Sequence, residues 1–366
     1  MPNCFTDCPQ TLHRTVNGVE TGNPMSELKL NFEMVANCPL CGNQKLQPYD
    51  SARDTLSPEL NRYLPPSHPR LPAINNVREK CLGCGLIFLS PRLDPPSLGE
   101  IYKLWYSYAY QAIFENAALL AQREYEFKHY HFPLLRKVIS ATGRLLDVGC
   151  GSGIFLRIAR EAGWETHGIE LDPSATQWAR DNYQLAVRCG TVDTALREGE
   201  QFDAITLFDY LEHTASPGSD LDQLIRHLSP GGVLCIRVPN QAGLQSHFMD
   251  AHWINYISNH LSYFTSDVLS HALSKRGLIV EYANAPNFQS QFDIIRQKIR
   301  WARARMHLGT DEPLEQHVAT TTVPLESEPV GKLKRFLYSL LVEQIDHAGG
   351  WLGRGNNLML IARRPN

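Results

Sequence analysis

From Gly143 onward the chain alternates short apolar runs with stretches of helical period. The runs RLLDVG (144–149), ETHGIEL (165–171), FDAITLF (202–208) and GVLCIRVP (232–239) are bounded by turn residues. Near-continuous apolar runs of this length predict strands covered on both faces. Near 153–162, 173–183 and 220–228, apolar residues recur every three or four positions, which predicts helices packed on those strands. LIVEYANA (278–285) and NLMLIARR (357–364) predict two more strands. Strand alternating with helix predicts a doubly wound, Rossmann-like α/β sheet. The last two strands lie about seventy residues apart, too far for a simple loop. FDIIRQKIRWARARM (292–306) and LKRFLYSLLVEQI (333–345) set an apolar face against basic residues there. They predict a helical insertion over about 290–348.

The pattern before Gly143 is different. Residues 1–33 read as a polar tail, and 99–140, rich in Tyr, Phe, Ala and Glu, as a helical linker or lid. Residues 34–98 hold two knuckles, CPLCG with Cys38 and Cys41, and CLGCG with Cys81 and Cys84. Two knuckles supply four soft thiolates, the tetrahedral set zinc prefers. The gap between them exceeds ordinary ribbon spacing, and SARDTLSPELNRYLPPSHPRLP reads as the looped-out excess. Four cysteines leave no open coordination position, so this zinc is expected to be structural.

Composition narrows the class. The 366 residues are 43% hydrophobic and 20% charged, with a formal net charge of −3. That balance gives no polyelectrolyte argument, and no basic stripe flanks the knuckles, so nucleic acid is not expected as a partner. No apolar run reaches the ~18 residues that span a bilayer. The stretch MPNCFTDCPQTLHRT has no apolar core for a secretory signal. Nine cysteines with no export signal read as reduced thiols in a cytoplasm. The basic helical faces suit a membrane surface or an anionic acceptor, or are simply solvated.

The glycine loop of GRLLDVGCGSG carries the chemistry. Gly149, Gly151 and Gly153 follow the first strand, but Ile154 stands where a dinucleotide fingerprint needs its third glycine. No Gly-Lys-Ser/Thr follows either. Asp147 sits at the carboxyl end of the strand, where α/β ligands bind. A carboxylate there repels pyrophosphate and favours an ammonium group. About twenty residues on, Glu170 ends the second strand, the place of an acid that accepts from a ribose diol. A ligand with a ribose, a cationic end and no pyrophosphate is required, and S-adenosylmethionine fits.

DVGCGSG with Glu170 resembles motif I and the ribose-binding acid of class I S-adenosylmethionine-dependent methyltransferases. RCGTVDTALREGEQFDAITLFDYLEH resembles their third and fourth strand motifs. LSPGG, RVPN, HLSYFTSDVL and GRGNNLMLIARRP resemble the later elements. The resemblance implies a seven-stranded sheet over 141–366. It implies that Gly149 and Gly151 hold the methionine portion near Asp147 and that Glu170 holds the ribose. Gly153, Gly190, Thr191 and Asp209 complete the cofactor positions. Many relatives place an acid for adenine right after the third-strand glycine. Here Thr191 follows Gly190, and the nearest acid is Asp193. Similar zinc ribbons precede the catalytic domain of sugar and natural-product methyltransferases, with Tyr106, Tyr108 and Tyr110 in the segment leading onward.

For an oxygen acceptor a base is needed, and His213 or His260 is the candidate. Each is alternatively a hydrogen-bonded structural histidine. Asp209, Glu212 and His213 form D-x-x-E-H, similar to the metal-binding E-x-x-E-H of ubiquinone-biosynthesis O-methyltransferases, with aspartate for the first glutamate. Deoxysugar C-methyltransferases carry Tyr-x-Glu-His before the late helix; here Ile257, Ser258, Asn259 and His260 stand instead. The resemblance therefore points to O-methylation of a small molecule or glycan precursor. C- or N-methylation remains the alternative, and so does a catalytically silent zinc-ribbon interaction protein.

Overall fold

The computed structural model describes residues 30–53, 60–61, 64, 68–72, 74–105, 116–249, 253, 255–286 and 348–366. The expected insertion at about 290–348 and its basic helices lie almost wholly outside the described residues. So do Tyr106, Tyr108, Tyr110 and most of the tail.

The larger sheet is the expected Rossmann-like one. Its strands are β6 (Arg144–Val148), β7 (Glu165–Glu170), β8 (Ala186–Cys189), β9 (Phe202–Phe208), β10 (Leu228–Pro239), β12 (Ile279–Asn284) and β13 (Asn357–Arg363). The order is β12-β13-β10-β9-β6-β7-β8. The pairs from β10 to β8 are parallel, and β13 inserts antiparallel between β10 and β12. β10 begins earlier than its apolar run: Leu228 already pairs with Phe202, and an irregularity follows before Val233. Polar LSPGG can enter the strand because Gly231 adopts φ +73°.

Local chemistry explains the crossovers. Asp172 accepts the Ala175 N–H at 2.7 Å and Pro173 opens the helix Pro173–Tyr183, a capped start. The helix Ile154–Glu161 starts directly after Gly153 and buries Ile154, Phe155, Leu156, Ile158 and Ala159 against the sheet.

A four-stranded antiparallel sheet forms the other half, in the order β11 (Ser262–Tyr263), β4 (Ile87–Leu89), β3 (Asn75–Cys81), β2 (Leu46–Arg53), and β1 (Phe32–Glu33) pairs with β5 (Arg92–Leu93) in a separate two-stranded sheet. β2, β3 and β4 come from the knuckle region. β11 comes from far along the chain and pairs antiparallel with β4. One apolar core joins the halves: Cys38, Leu40, Leu86 and Phe88 pack in the same cluster as Leu146, Ile205 and Leu269. The first knuckle is docked by backbone. Gly218 N–H donates to Pro39 O at 3.1 Å, and a Cβ at Gly218 would lie 2.5 Å from Leu40 O. Arg276 ties the joint by donating to Leu40 O and Gly218 O.

Candidate functional site

The carboxyl ends of β6, β7, β8 and β9 converge at one edge of the sheet, the ligand edge of an open α/β fold. Gly149, Gly151 and Gly153 take φ of +73°, +52° and +75°. Those left-handed values favour glycine, which has no Cβ to clash. Close packing is a second constraint: a Cβ on Gly153 would sit 2.5 Å from Leu185 Cδ1. The loop hangs on the next strand, since Gly149 N–H donates to Ile169 O at 2.8 Å.

Glu170 fixes that loop. Its carboxylate is buried and accepts the Gly151 N–H at 2.8 Å and the Asp172 N–H at 2.9 Å. Each carboxylate oxygen still has lone-pair capacity for a ribose hydroxyl. Asp147 is also buried, and the Thr206 hydroxyl donates to it at 2.6 Å. Burial pushes its carboxyl up to about 7, with the Glu170 charge adding and the Thr206 bond opposing. An ammonium group from a ligand would relieve the cost of that buried charge.

At the end of β8, Gly190 N–H donates to Glu170 O at 2.9 Å. Thr191 caps the short helix Val192–Ala195, and its N–H donates to Thr194 Oγ1 at 2.9 Å. Asp193 is exposed and accepts from Gln223.

Asp209 stands apart from the grouping read in D-x-x-E-H. Its backbone takes φ +54°, and its carboxylate is clamped by Arg237, with the Nε bond at 2.9 Å. Burial raises its pKa, but Arg237 outweighs it and holds the group near 2. The same guanidinium donates to His131 Nε2 at 2.6 Å. The carboxylate is thus held as an ion-pair partner of Arg237. Arg237 and His131 were not foreseen. The signal was an arginine inside the otherwise apolar GVLCIRVP, where burial demands an acidic partner.

His213 and His260 meet. Their ring centroids are 4.6 Å apart, and Tyr102 approaches His213 edge-on at 6.2 Å. His213 Nδ1 lies 2.9 Å from Asn259 O, and His260 Nδ1 lies 2.9 Å from Asn255 O. Burial lowers the pKa of both; for His260 the neighbouring His213 adds to it. Glu212 is 2% exposed beside them. Burial, then the Asp209 charge, drives its carboxyl well above the usual range.

The four knuckle sulfurs also converge, each lying within 4.8 Å of the others. Cys38 Sγ to Cys84 Sγ and Cys41 Sγ to Cys81 Sγ are both 3.6 Å. Tetrahedral zinc with bonds of about 2.3 Å needs sulfurs roughly 3.8 Å apart, so the set fits the ion. Gly83 and Cys84 N–H groups point at Cys81 Sγ, as a thiolate requires.

Residues 119–283 match a family model described as a methyltransferase domain. Over those residues the chain is similar to a methyltransferase domain. Two curated relatives are named ubiquinone biosynthesis O-methyltransferase. One, from Alkalilimnicola ehrlichii, is 36% identical over 27% of this chain and 42% of its own. The other, from a Caulobacter strain, is 29% identical over 27% of this chain and 41% of its own. The chain thus spans under half the length of the curated relatives it matches. A solved methyltransferase from Mesorhizobium loti covers 64% of this chain and 97% of its own at 16% identity, TM-score 0.42. Among the described residues, no helix is long and apolar enough to cross a membrane.

Proposed function

We propose that this protein transfers the methyl group of S-adenosylmethionine to a hydroxyl of a small molecule or glycan precursor. The observation that carries the reading is the juxtaposition of two sites at one sheet edge. A glycine loop bonded to Glu170, with Asp147 beside it, is the donor cradle. A pair of neutral imidazoles after β9 is the acceptor side.

The bound cofactor supplies a sulfonium-activated methyl, so the protein mainly positions and handles a proton. Glu170 accepts from the ribose hydroxyls while holding Gly151 in place. Asp147 draws the ammonium end. A carbonyl cannot donate, so both Nδ1 atoms facing carbonyls carry the protons. That leaves Nε2 of His213 and His260 as lone pairs able to take the acceptor's proton. The low histidine pKa values keep both rings neutral near pH 7.

We also propose one structural zinc on Cys38, Cys41, Cys81 and Cys84, and a reducing, cytoplasmic setting in which all seven described cysteines are free thiols or ligands. The experiment is calorimetric titration of S-adenosylmethionine, with methyl transfer followed by product mass. Wild type should bind, and Glu170→Ala should lose about tenfold or more, a charge-assisted hydrogen-bond pair being worth about 1.5–3 kcal/mol. Folded protein that does not bind, with Glu170→Ala indistinguishable from it, ends the proposal.

A further inference from the structure

Arg78 lies on the inner face of β3, and its side chain is 0% exposed. Its Nε donates to Asp50, whose side chain is 31% exposed. Nη1 and Nη2 are buried and have no hydrogen-bond partner among the described residues. The guanidinium carbon stands 3.4 Å from the centroid of the Tyr256 ring and 5.8 Å from that of Tyr263. So close an approach requires the guanidinium to lie flat on Tyr256. The ring then meets its face and leaves the N–H edge unmet. Trp253 and Tyr263 close the box, each with its ring centroid 5.1 Å from that of Tyr256. Burial works against the charge, but Asp50 outweighs it and the group stays cationic. A buried charged donor left unpaired is costly, and an acceptor that reaches it recovers the cost.

The box adjoins the two imidazoles. Arg78 pairs with Leu89 of β4, and Leu89 N–H donates to the carbonyl of Leu261, the residue after His260. Arg78 thus stands two strand spacings, roughly 10 Å of backbone, from the segment that carries His260. Tyr256 and Tyr263 belong to that same segment. At the rim, Gln241 Nε2 stands 3.4 Å from the hydroxyl of exposed Tyr49 and 3.5 Å from that of Tyr256. Both contacts are long for hydrogen bonds.

We propose that Arg78 binds a carboxylate carried by the acceptor. The substrate class is then a hydroxycarboxylic acid or, in a glycan precursor, a uronic acid unit. This deepens the methyl-transfer reading and rests on it. The Nη1–Nη2 edge presents parallel donors that match the two carboxylate oxygens. Phosphate fits less well. Asp50 already offsets the guanidinium, and a dianion would add uncompensated charge among aromatic rings. Tyr256, weakly held at its hydroxyl, is the cover that the entering carboxylate displaces. With the carboxylate on Arg78, the spacing to the imidazoles selects which hydroxyl arrives there.

The test titrates full-length protein with phenylacetate, phenylacetamide and phenyl phosphate, which share a ring and differ in head group. Calorimetry is run with and without S-adenosylmethionine. Wild type should bind phenylacetate about tenfold or more tighter than either of the others. Arg78→Met keeps the stem, removes the charge and should abolish that preference. Arg78→Lys keeps the charge without the planar fork and should retain only part of it. Circular dichroism and S-adenosylmethionine binding certify the fold of both variants. Should Arg78→Met fail to fold, Arg78→Lys carries the comparison. No binding, equal binding of the three probes, tighter binding of phenyl phosphate, or a preference unchanged in folded variants overturns the carboxylate site. Wild type that binds S-adenosylmethionine and shows any of these results leaves the methyl-transfer reading standing. A preference that depends on Arg78, in folded protein that does not bind S-adenosylmethionine, keeps the carboxylate site and removes the methyl-transfer reading.

Discussion

Asp147→Asn is expected to make the ligand-free protein more stable and the cofactor complex weaker. The Asp147 carboxyl stands at about 7 in the fold against a reference of 3.8, chiefly through burial. The folded state thus holds this proton more tightly than the unfolded chain, and stability falls as pH rises from about 4 to about 7. A shift of about three units corresponds to about 4 kcal/mol once ionisation is complete, as an order of magnitude. Roughly half of that develops between about pH 5.5 and 8.5, or about 2 kcal/mol. Asparagine keeps an oxygen for the Thr206 hydroxyl and removes the charge. The assay is urea unfolding of wild type and variant at several pH values across that window, without and with saturating S-adenosylmethionine. The stability gap should widen toward high pH by about 2 kcal/mol. It should shrink or reverse with cofactor, whose ammonium compensates the wild-type charge. A gap that is constant from pH 5.5 to 8.5 would refute the reasoning, because then the variant changes packing and not ionisation.

Three further outcomes are expected. Gly153→Ala combines a left-handed φ with a contact on Leu185, so it should lose roughly 2–4 kcal/mol of stability in thermal unfolding and weaken S-adenosylmethionine in calorimetry. Asp209→Asn strands the buried Arg237 guanidinium; about 2–3 kcal/mol should be lost, below the usual figure for a buried pair because the Asp209 carboxylate is partly open. Gly218→Ala drives a methyl into Leu40 O, so limited proteolysis should cut the knuckle region faster while zinc analysis still finds the ion.

Much of this protein was legible because each signal was local. RLLDV, FDAITLF and the helix at 173–183 carry their periods and caps within a few residues of one another. The glycine loop and Glu170 could be read together because one crossover separates them. The knuckles announce themselves by spacing. What stayed hidden depends on contacts between distant positions. Asp209 and His213 belong to one short motif, yet the strand end turns Asp209 to Arg237 while Glu212 and His213 face His260. Gly168 looks like a flaw in β7, until its missing side chain is seen to admit Cys150 and Leu156; a Cβ there would lie 2.8 Å from each. β11, two residues long, has no pattern of its own and exists because β4 offers an edge.

That small strand sets an order of assembly. β2, β3 and β4 leave the ribosome long before Ser262 and Tyr263, so the nascent knuckle sheet carries an open edge at β4. The edge closes when Leu89 N–H finds Leu261 O, one residue after His260. His260 is therefore brought beside His213 by the same pairing that seals the sheet. A chain truncated before β11 would keep the β4 edge unpaired, a template for pairing with another chain.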